Sequence, residues 1–322
     1  MKPIKRVYLD TNVFRFIERC DEATAVREFL DSNGLRVTAN DHHLTETYAI
    51  RDDDLREQAM KTITEVATNF ARVPDTFLHA DELLAEVRRC RPRGLCRRAE
   101  EASLIPIHLK NHRMKWKEAK AQPRYVPSSF QTYKHDSDAG KKHFTIHQKV
   151  LRSARLHDES VALVSAGGSS FDLVTTGYET DEEKYWRTSS LSVWSNALVL
   201  RLPASRDYAD WVAPYVDTRL LREPDYSRFW LHEVKARNMP RNHITCLAEF
   251  FQLDHKIDAG GNSEDSLHAG YILESDVFLT ADRRFFSVLE TIKARHPKSA
   301  RVRVIDRGAS SALAEIKQAL TK

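Results

Sequence analysis

The sequence predicts an α/β fold with a central parallel sheet flanked by helices. Two observations carry this. Short β-prone runs at Arg6–Leu9, Leu35–Ala39, Val277–Thr280 and Arg301–Ile305 alternate with longer stretches whose apolar residues recur at helical spacing. Two of these runs end in polar and acidic residues: Asp10-Thr11-Asn12 follows Leu9, and Ala281-Asp282 follows Thr280. A strand that delivers carboxylates at its C-terminal end is how open α/β sheets present a site.

At 322 residues the chain is long enough for one large or two medium domains. With 41% hydrophobic and 30% charged residues it is a globular chain rather than a disordered one. The start, MKPIKRVYLD, lacks the apolar core of a signal peptide, and no run of about 18 apolar residues occurs. A cytoplasmic location, with no membrane partner, is the expectation. Cys20, Cys90, Cys96 and Cys246 suit a reducing compartment, and Cys90 and Cys96 lack the second pair that a zinc site needs.

In chain order, Arg6–Leu9 reads as a buried strand, and Val13–Glu18 and Ala23–Leu30 as short helices with Asp21 as a cap. Ser32-Asn33-Gly34 is a turn before the second strand, Leu35–Ala39. Asn40-Asp41 caps a helix carrying Leu44, Glu46, Tyr48 and Ile50, and another helix runs from Asp52–Asp54 to about Asn69. Phe77–Val87 is helical. Gly167-Gly168-Ser169-Ser170 is a loop without the Lys-Ser/Thr of a phosphate loop. Leu191–Leu202 is an apolar helix or strand, Asp207–Val216 is ambiguous, and Phe229–Lys235 and Asn242–Leu253 are helices around Pro240. Trp186, Trp194, Trp211 and Trp230 have apolar neighbours and belong in the core. Gly260-Gly261-Asn262 breaks the chain, and Ser263 caps a helix that leads to the strand Val277–Thr280. A helix at Phe285–Ala294, a last strand and a closing helix at Ser310–Ala319 complete the chain.

Charge is distributed unevenly. Residues 86–155 hold 18 Lys plus Arg against 6 Asp plus Glu, so a net +4 chain is about −8 elsewhere. His108, His112, His135, His143, His147, Trp116, Tyr125, Phe130, Tyr133 and Phe144 share this stretch. Cations interleaved with rings suit a surface that tracks phosphates and stacks bases; a solvated set of helical faces is the plainer reading.

Four acids fall at element ends: Asp10 and Asp282 after strands, and Glu46 and Asp265 near helix starts, with Glu264 competing for the last role. Carboxylates gathered in one pocket repel unless a hard cation holds them, and oxygen-rich sites select Mg²⁺ or Mn²⁺. Such ions activate water and stabilise displacement at a phosphodiester. Each acid also has an ordinary reading: a turn or cap for Asp10 and Asp282, a solvated helix position for Glu46, and a first-turn acid for Asp265.

VYLDTNVF, HLTETYA and DSLHAGYILESDVFLTADRRF resemble the three sequence blocks of the PIN-domain nucleases. The resemblance covers roughly the first 70 and last 80 residues. It implies a parallel sheet between helices and a Mg²⁺- or Mn²⁺-dependent hydrolase, most often an endoribonuclease. It also implies metal-holding, catalytic roles for Asp10, Glu46, Asp265 and Asp282, with Thr11, Asn12 and Thr280 in support. The expected organisation is a discontinuous core, 1–87 with 226–322, and a basic, mostly helical insertion, 88–225. Lys235, Arg237, Arg241, Arg283 and Arg284 are the expected phosphate contacts.

The leading expectation is cleavage of single-stranded or structured RNA, with DNA as an alternative substrate and an antitoxin or regulator as an open protein partner. A competing reading is a catalytically inactive RNA-binding scaffold or sensor of the same fold. A phosphatase with an Asp nucleophile is disfavoured, because Asn12 stands where its second acid would be.

Overall fold

The apolar runs form strands β1 (Lys5–Leu9), β2 (Leu35–Ala39), β4 (Val277–Thr280) and β5 (Arg301–Val304), joined by a two-residue strand, β3 (Asn69–Phe70). This computed structural model describes residues 5–127, 130, 180–199, 201, 206–217, 228–253 and 262–321. The five strands are all parallel, in the order β3-β2-β1-β4-β5. Leu9, Phe278, Leu279 and Thr280 are fully buried, as strands covered on both faces require. From β1 the chain builds outward through β2 to β3. It returns on the other side of β1 with β4 and then β5, so the strand order reverses between β1 and β4.

The chain divides into two compact units. The first comprises Met1–Pro74, Lys110–His135 and Leu267–Lys322, and holds the sheet. Its helices include α1 (Thr11–Cys20), α2 (Ala23–Ser32), α3 (Asp41–Tyr48) and α4 (Asp53–Val66). Val13, Phe14, Ile17, Val26, Leu30, Met60 and Ile63 from these helices pack with Val7, Leu9, Val37 and Leu279 of the strands. Asp21 does not open α2; it closes α1 in the left-handed conformation, φ 53°. The helix expected through Asn69 stops at Val66, because the Thr68 and Ala71 amides bond to Val37 and Ala39 of β2.

The second unit comprises Asp75–Leu109 and Asp136–Ser266. It contains α5 (Asp75–Cys90), the first half of α6 (Ala99–Ala121), α7 (Asp181–Leu198), α8 (Arg206–Val212) and α9 (Pro240–Gln252). Trp186, Trp194, Trp211 and Trp230 are buried in it, as expected. Pro240 does not separate helices. It occupies the first turn of α9, where its missing N–H costs nothing, and Glu82 of α5 accepts the Arg241 and Asn242 amides. Phe229–Lys235 is a π-helical turn over Phe229–Glu233 rather than a regular helix. The unit boundaries fall away from 87/88 and 225/226: α5 packs on α8 and α9, whereas Trp116 and Ala119 of α6 enter the core beneath the sheet.

In the remainder of the first unit, α10 (Asn262–Ala269) begins in the second unit and ends in the first, and the chain closes with α11 (Arg283–Arg295) and α12 (Ala312–Thr321). The loop at 167–170, and His135, His143, His147, Tyr133 and Phe144, lie outside the described residues.

Candidate functional site

The site begins where the strand order reverses, at the C-terminal ends of β1 and β4. The Asp10 amide bonds to Leu279 O at 2.9 Å, which carries the β1–β4 pairing one residue past the strand. Asp10 is the N-cap of α1 by position, but its side chain makes no capping bond. Its Oδ2 instead accepts from the Thr280 hydroxyl at 2.8 Å and from Asn12 Nδ2 at 3.4 Å. The residue is only 2% exposed. Burial raises its carboxyl pKa and the neighbouring Glu46 raises it further, opposed by His268 and the two side-chain donors.

Thr280 is the hinge between two of the acids. Its hydroxyl donates to Asp10 and accepts the Asp282 amide at 3.0 Å. Asp282 is a true N-cap: Oδ1 accepts from the Arg284 and Phe285 amides of α11 at 2.7 and 3.0 Å. The expected cap reading of Asp282 is therefore correct for one of its oxygens. Arg283 and Arg284 are exposed in the same turn.

Glu46 is held by α3, whose first turn is closed by Asn40. Asn40 Oδ1 accepts from the His42 and His43 amides, and the Asn40 amide bonds back to His43 Nδ1 at 3.1 Å. His43 Nε2 lies 2.8 Å from Leu9 O and so carries the proton that this carbonyl accepts. Burial, with His268 nearby, drives His43 down to about 3, so it stays neutral.

Glu46 Oε1 lies 3.2 Å from Nε2 of His268, which is 0% exposed. Burial works to raise the Glu46 carboxyl, but the adjoining His268 outweighs it and holds the group at about 2. His268 Nδ1 lies 2.5 Å from the Tyr8 hydroxyl, which accepts from Asn40 Nδ2 at 2.8 Å. Tyr8 stacks on Tyr271 with ring centroids 5.0 Å apart. Its own buried environment raises its pKa well above the usual value, so it remains a phenol.

The structure thus brings together Asp10, Glu46, Thr11, Asn12 and Thr280, with Asp282 joined through Thr280. Asp265 is half-buried on α10, one turn before His268. Among the described residues, no three His, Cys, Asp or Glu side chains form a group that could hold a metal ion by themselves. Arg241 is not a phosphate contact. It is 3% exposed, and its guanidinium bonds Asp75 Oδ1 at 2.9 Å inside the second unit. Lys235 and Arg237 are exposed on that unit.

The basic stretch is also partly structural. Trp116 and His112 are buried rather than displayed, with His112 Nε2 donating to Ala71 O at 3.1 Å. Arg89 and Arg91 are spent on Glu86 and Glu233. Arg88, Arg93 and Arg97 are exposed.

Asn40 caps α3 as the sequence predicts, but Tyr8, His43 and His268 have no role in the sequence reading. Signals for them existed. Tyr8 and Asp10 are two apart on a strand and share a face, and His268 follows Asp265 by three on a helix.

No family model matches the chain, and no curated protein and no solved structure matches it.

Proposed function

We propose that the chain is a metal-dependent nuclease that hydrolyses phosphodiester bonds, with RNA as its substrate and a PIN-like sheet unit as its catalytic core. One observation carries the reading. A buried carboxylate that caps nothing, Asp10, stands beside a second carboxylate, Glu46, at the point of strand-order reversal. Such a pair is costly to fold without a purpose, because each charge penalises the other.

The donor set fits a hard cation. No described residue bonds Asp10 Oδ1 or Asp282 Oδ2, while the partner oxygen of each is fixed by hydrogen bonds. Asp10 and Glu46 would hold Mg²⁺ or Mn²⁺, with Asp282 as a further acid of the same unit. Such an ion, when bound, lowers the pKa of a water and stabilises charge on the phosphate. Thr280 and Asn12 hold the Asp10 carboxylate in place, and the exposed Arg283 and Arg284 beside Asp282 support a role in binding phosphate.

A cleft of about 480 Å³ in the same unit supports a nucleic-acid ligand. Tyr48, Tyr125 and Phe130 supply rings to it, and Arg51, Arg56 and Arg124 supply cations. Arg56 is buried and bonded to Ile50 O and Asp53, which leaves Arg51 and Tyr125 at the exposed edge.

The second reading is an RNA-binding scaffold without activity. It is favoured by the lack, among the described residues, of a ready-made group of three metal ligands. Cleavage of mixed single-stranded and structured RNA, in Mn²⁺ or Mg²⁺ and in EDTA, decides between the two. Metal-dependent cutting lost in Asp10→Asn is the expected result. RNA retained in a shift assay without cutting under any condition would leave the scaffold reading.

A further inference from the structure

His268 is a fully buried side chain that touches an acid of the site and yet belongs to no part of the mechanism above. Its hydrogen bonds can be assigned in order. Asn40 Oδ1 is taken up by two helix amides, so the amide face of Asn40 is the one that meets Tyr8. The Tyr8 oxygen accepts that N–H and lies 2.5 Å from His268 Nδ1; because the Glu46 carboxylate can only accept, Nδ1 of the neutral ring is the acceptor that takes the Tyr8 proton. The remaining imidazole nitrogen, Nε2, then carries a proton and donates it to Glu46 Oε1.

The chain of bonds closes on itself. Asn40 caps the helix that carries Glu46, and Tyr8 lies two residues before Asp10 on the strand that ends in it. One network therefore fixes the positions of both acids relative to β1. Aromatic packing secures it, with Tyr8 between Tyr271 and Phe278 at centroid distances of 5.0 and 4.8 Å. A residue needed only to fill this space would be served by leucine. An imidazole with both nitrogens engaged is needed to aim a carboxylate.

We propose that His268 is a positioning residue that orients Glu46 toward a divalent cation, with Tyr8 and Asn40 fixing which of its nitrogens donates. The inference rests on the cation-binding reading of the Asp10–Glu46 pair. It assigns the cation no further ligand. One Glu46 oxygen is held by His268, so that the other is presented in a fixed direction.

The test is Mn²⁺ binding to the full chain, by titration calorimetry and by the Mn²⁺ spin-resonance signal, with circular dichroism to confirm folding. His268→Gln places an amide N–H near the Nε2 position, and His268→Asn places one near Nδ1. Loss of an outer hydrogen-bond partner of a metal ligand weakens binding by roughly 10- to 100-fold. His268→Asn and His268→Leu are expected to show that loss, His268→Gln to stay within about fivefold of wild type, and Tyr8→Phe to fall between. An imidazole ¹⁵N spectrum of the wild type, expected to show Nε2 protonated, gives a readout that needs no variant to fold.

If the Asn, Leu and Gln variants bind Mn²⁺ as wild type does while Asp10→Asn does not, the positioning role is overturned and the cation reading stands. Equal losses in Gln and Asn variants, or an Nδ1-protonated ring, also overturn it. Wild-type protein that binds no Mn²⁺ overturns both.

Discussion

Asp10→Asn separates a carboxylate kept for chemistry from one kept for the fold. The folded Asp10 carboxyl is raised above its ordinary value, because burial and the neighbouring Glu46 outweigh His268 and the two side-chain donors, so its ionised form costs the fold free energy. Replacing the Asp10 charge with an amide releases that cost. It also turns the bonds from Thr280 and Asn12 into weaker neutral ones, at about 1 kcal/mol each. The variant is expected to be about 1 kcal/mol more stable than wild type at pH 7.5 in EDTA. In Mn²⁺ at about 100 times its Kd the wild type gains about 2.7 kcal/mol that the variant lacks, so the order reverses.

The pH dependence has a definite sign. The folded pKa of Asp10 is raised, so metal-free protein gains stability as pH falls toward that value, and the advantage of the variant fades. Glu46 acts oppositely. Its contribution is full above the ordinary carboxyl range and is lost as pH falls through about 2. Hydrogen exchange of the β1 and β4 amides in urea reads the stability of this unit directly. A variant less stable than wild type in EDTA would refute the reasoning, because the donors around Asp10 would then outweigh its repulsions.

Three further outcomes are expected. Asp282→Asn retains the α11 cap and changes stability by less than about 0.5 kcal/mol, whereas Asp282→Ala costs about 1 kcal/mol; urea unfolding checks both, and cleavage is expected to be lost in each. Arg241→Ala removes the buried guanidinium from Asp75 Oδ1 while His79 stays at Oδ2, and costs about 3 kcal/mol with RNA affinity unchanged below its unfolding midpoint, checked by denaturation and a shift assay. Burial pushes Glu249 up to about 7, so the second unit loses stability as pH rises from the ordinary carboxyl range to that value. Glu249→Gln should remove this slope and be up to about 3 kcal/mol more stable at pH 8, followed by the fluorescence of the four tryptophans in that unit.

The sheet was legible because its strands are covered on both faces. Burial of that kind leaves unbroken apolar runs such as Val277–Leu279, and polar residues at their ends stand out. Asp10 and Thr280 could be singled out for this reason, and their bond is the best-defined contact of the site. Asn69–Phe70 could not be read as a strand, since two residues carry no periodicity and only pairing with β2 defines them. Trp116 and His112 looked like a binding surface because they sit among lysines. On α6, His112 and Trp116 are one turn apart and share a face that packs inward, while Arg113, Lys115 and Lys117 beside them are exposed. Arg241 misled for a related reason: its composition signals phosphate, while its partner Asp75 is 166 residues away in the chain. The Tyr8–His268 bond spans 260 residues and likewise leaves no local trace.

The sheet that carries the site draws its strands from both halves of the chain, and Asp10 meets Thr280 across 270 residues. During synthesis, β1 and β2 emerge early and wait with an unpaired edge until β4 is made. A polypeptide stopped before residue 267 has Asp10 and Glu46 but neither His268 nor Thr280, and two of its five strands are missing. The arrangement around Asp10 is therefore incomplete in any product that ends before Thr280.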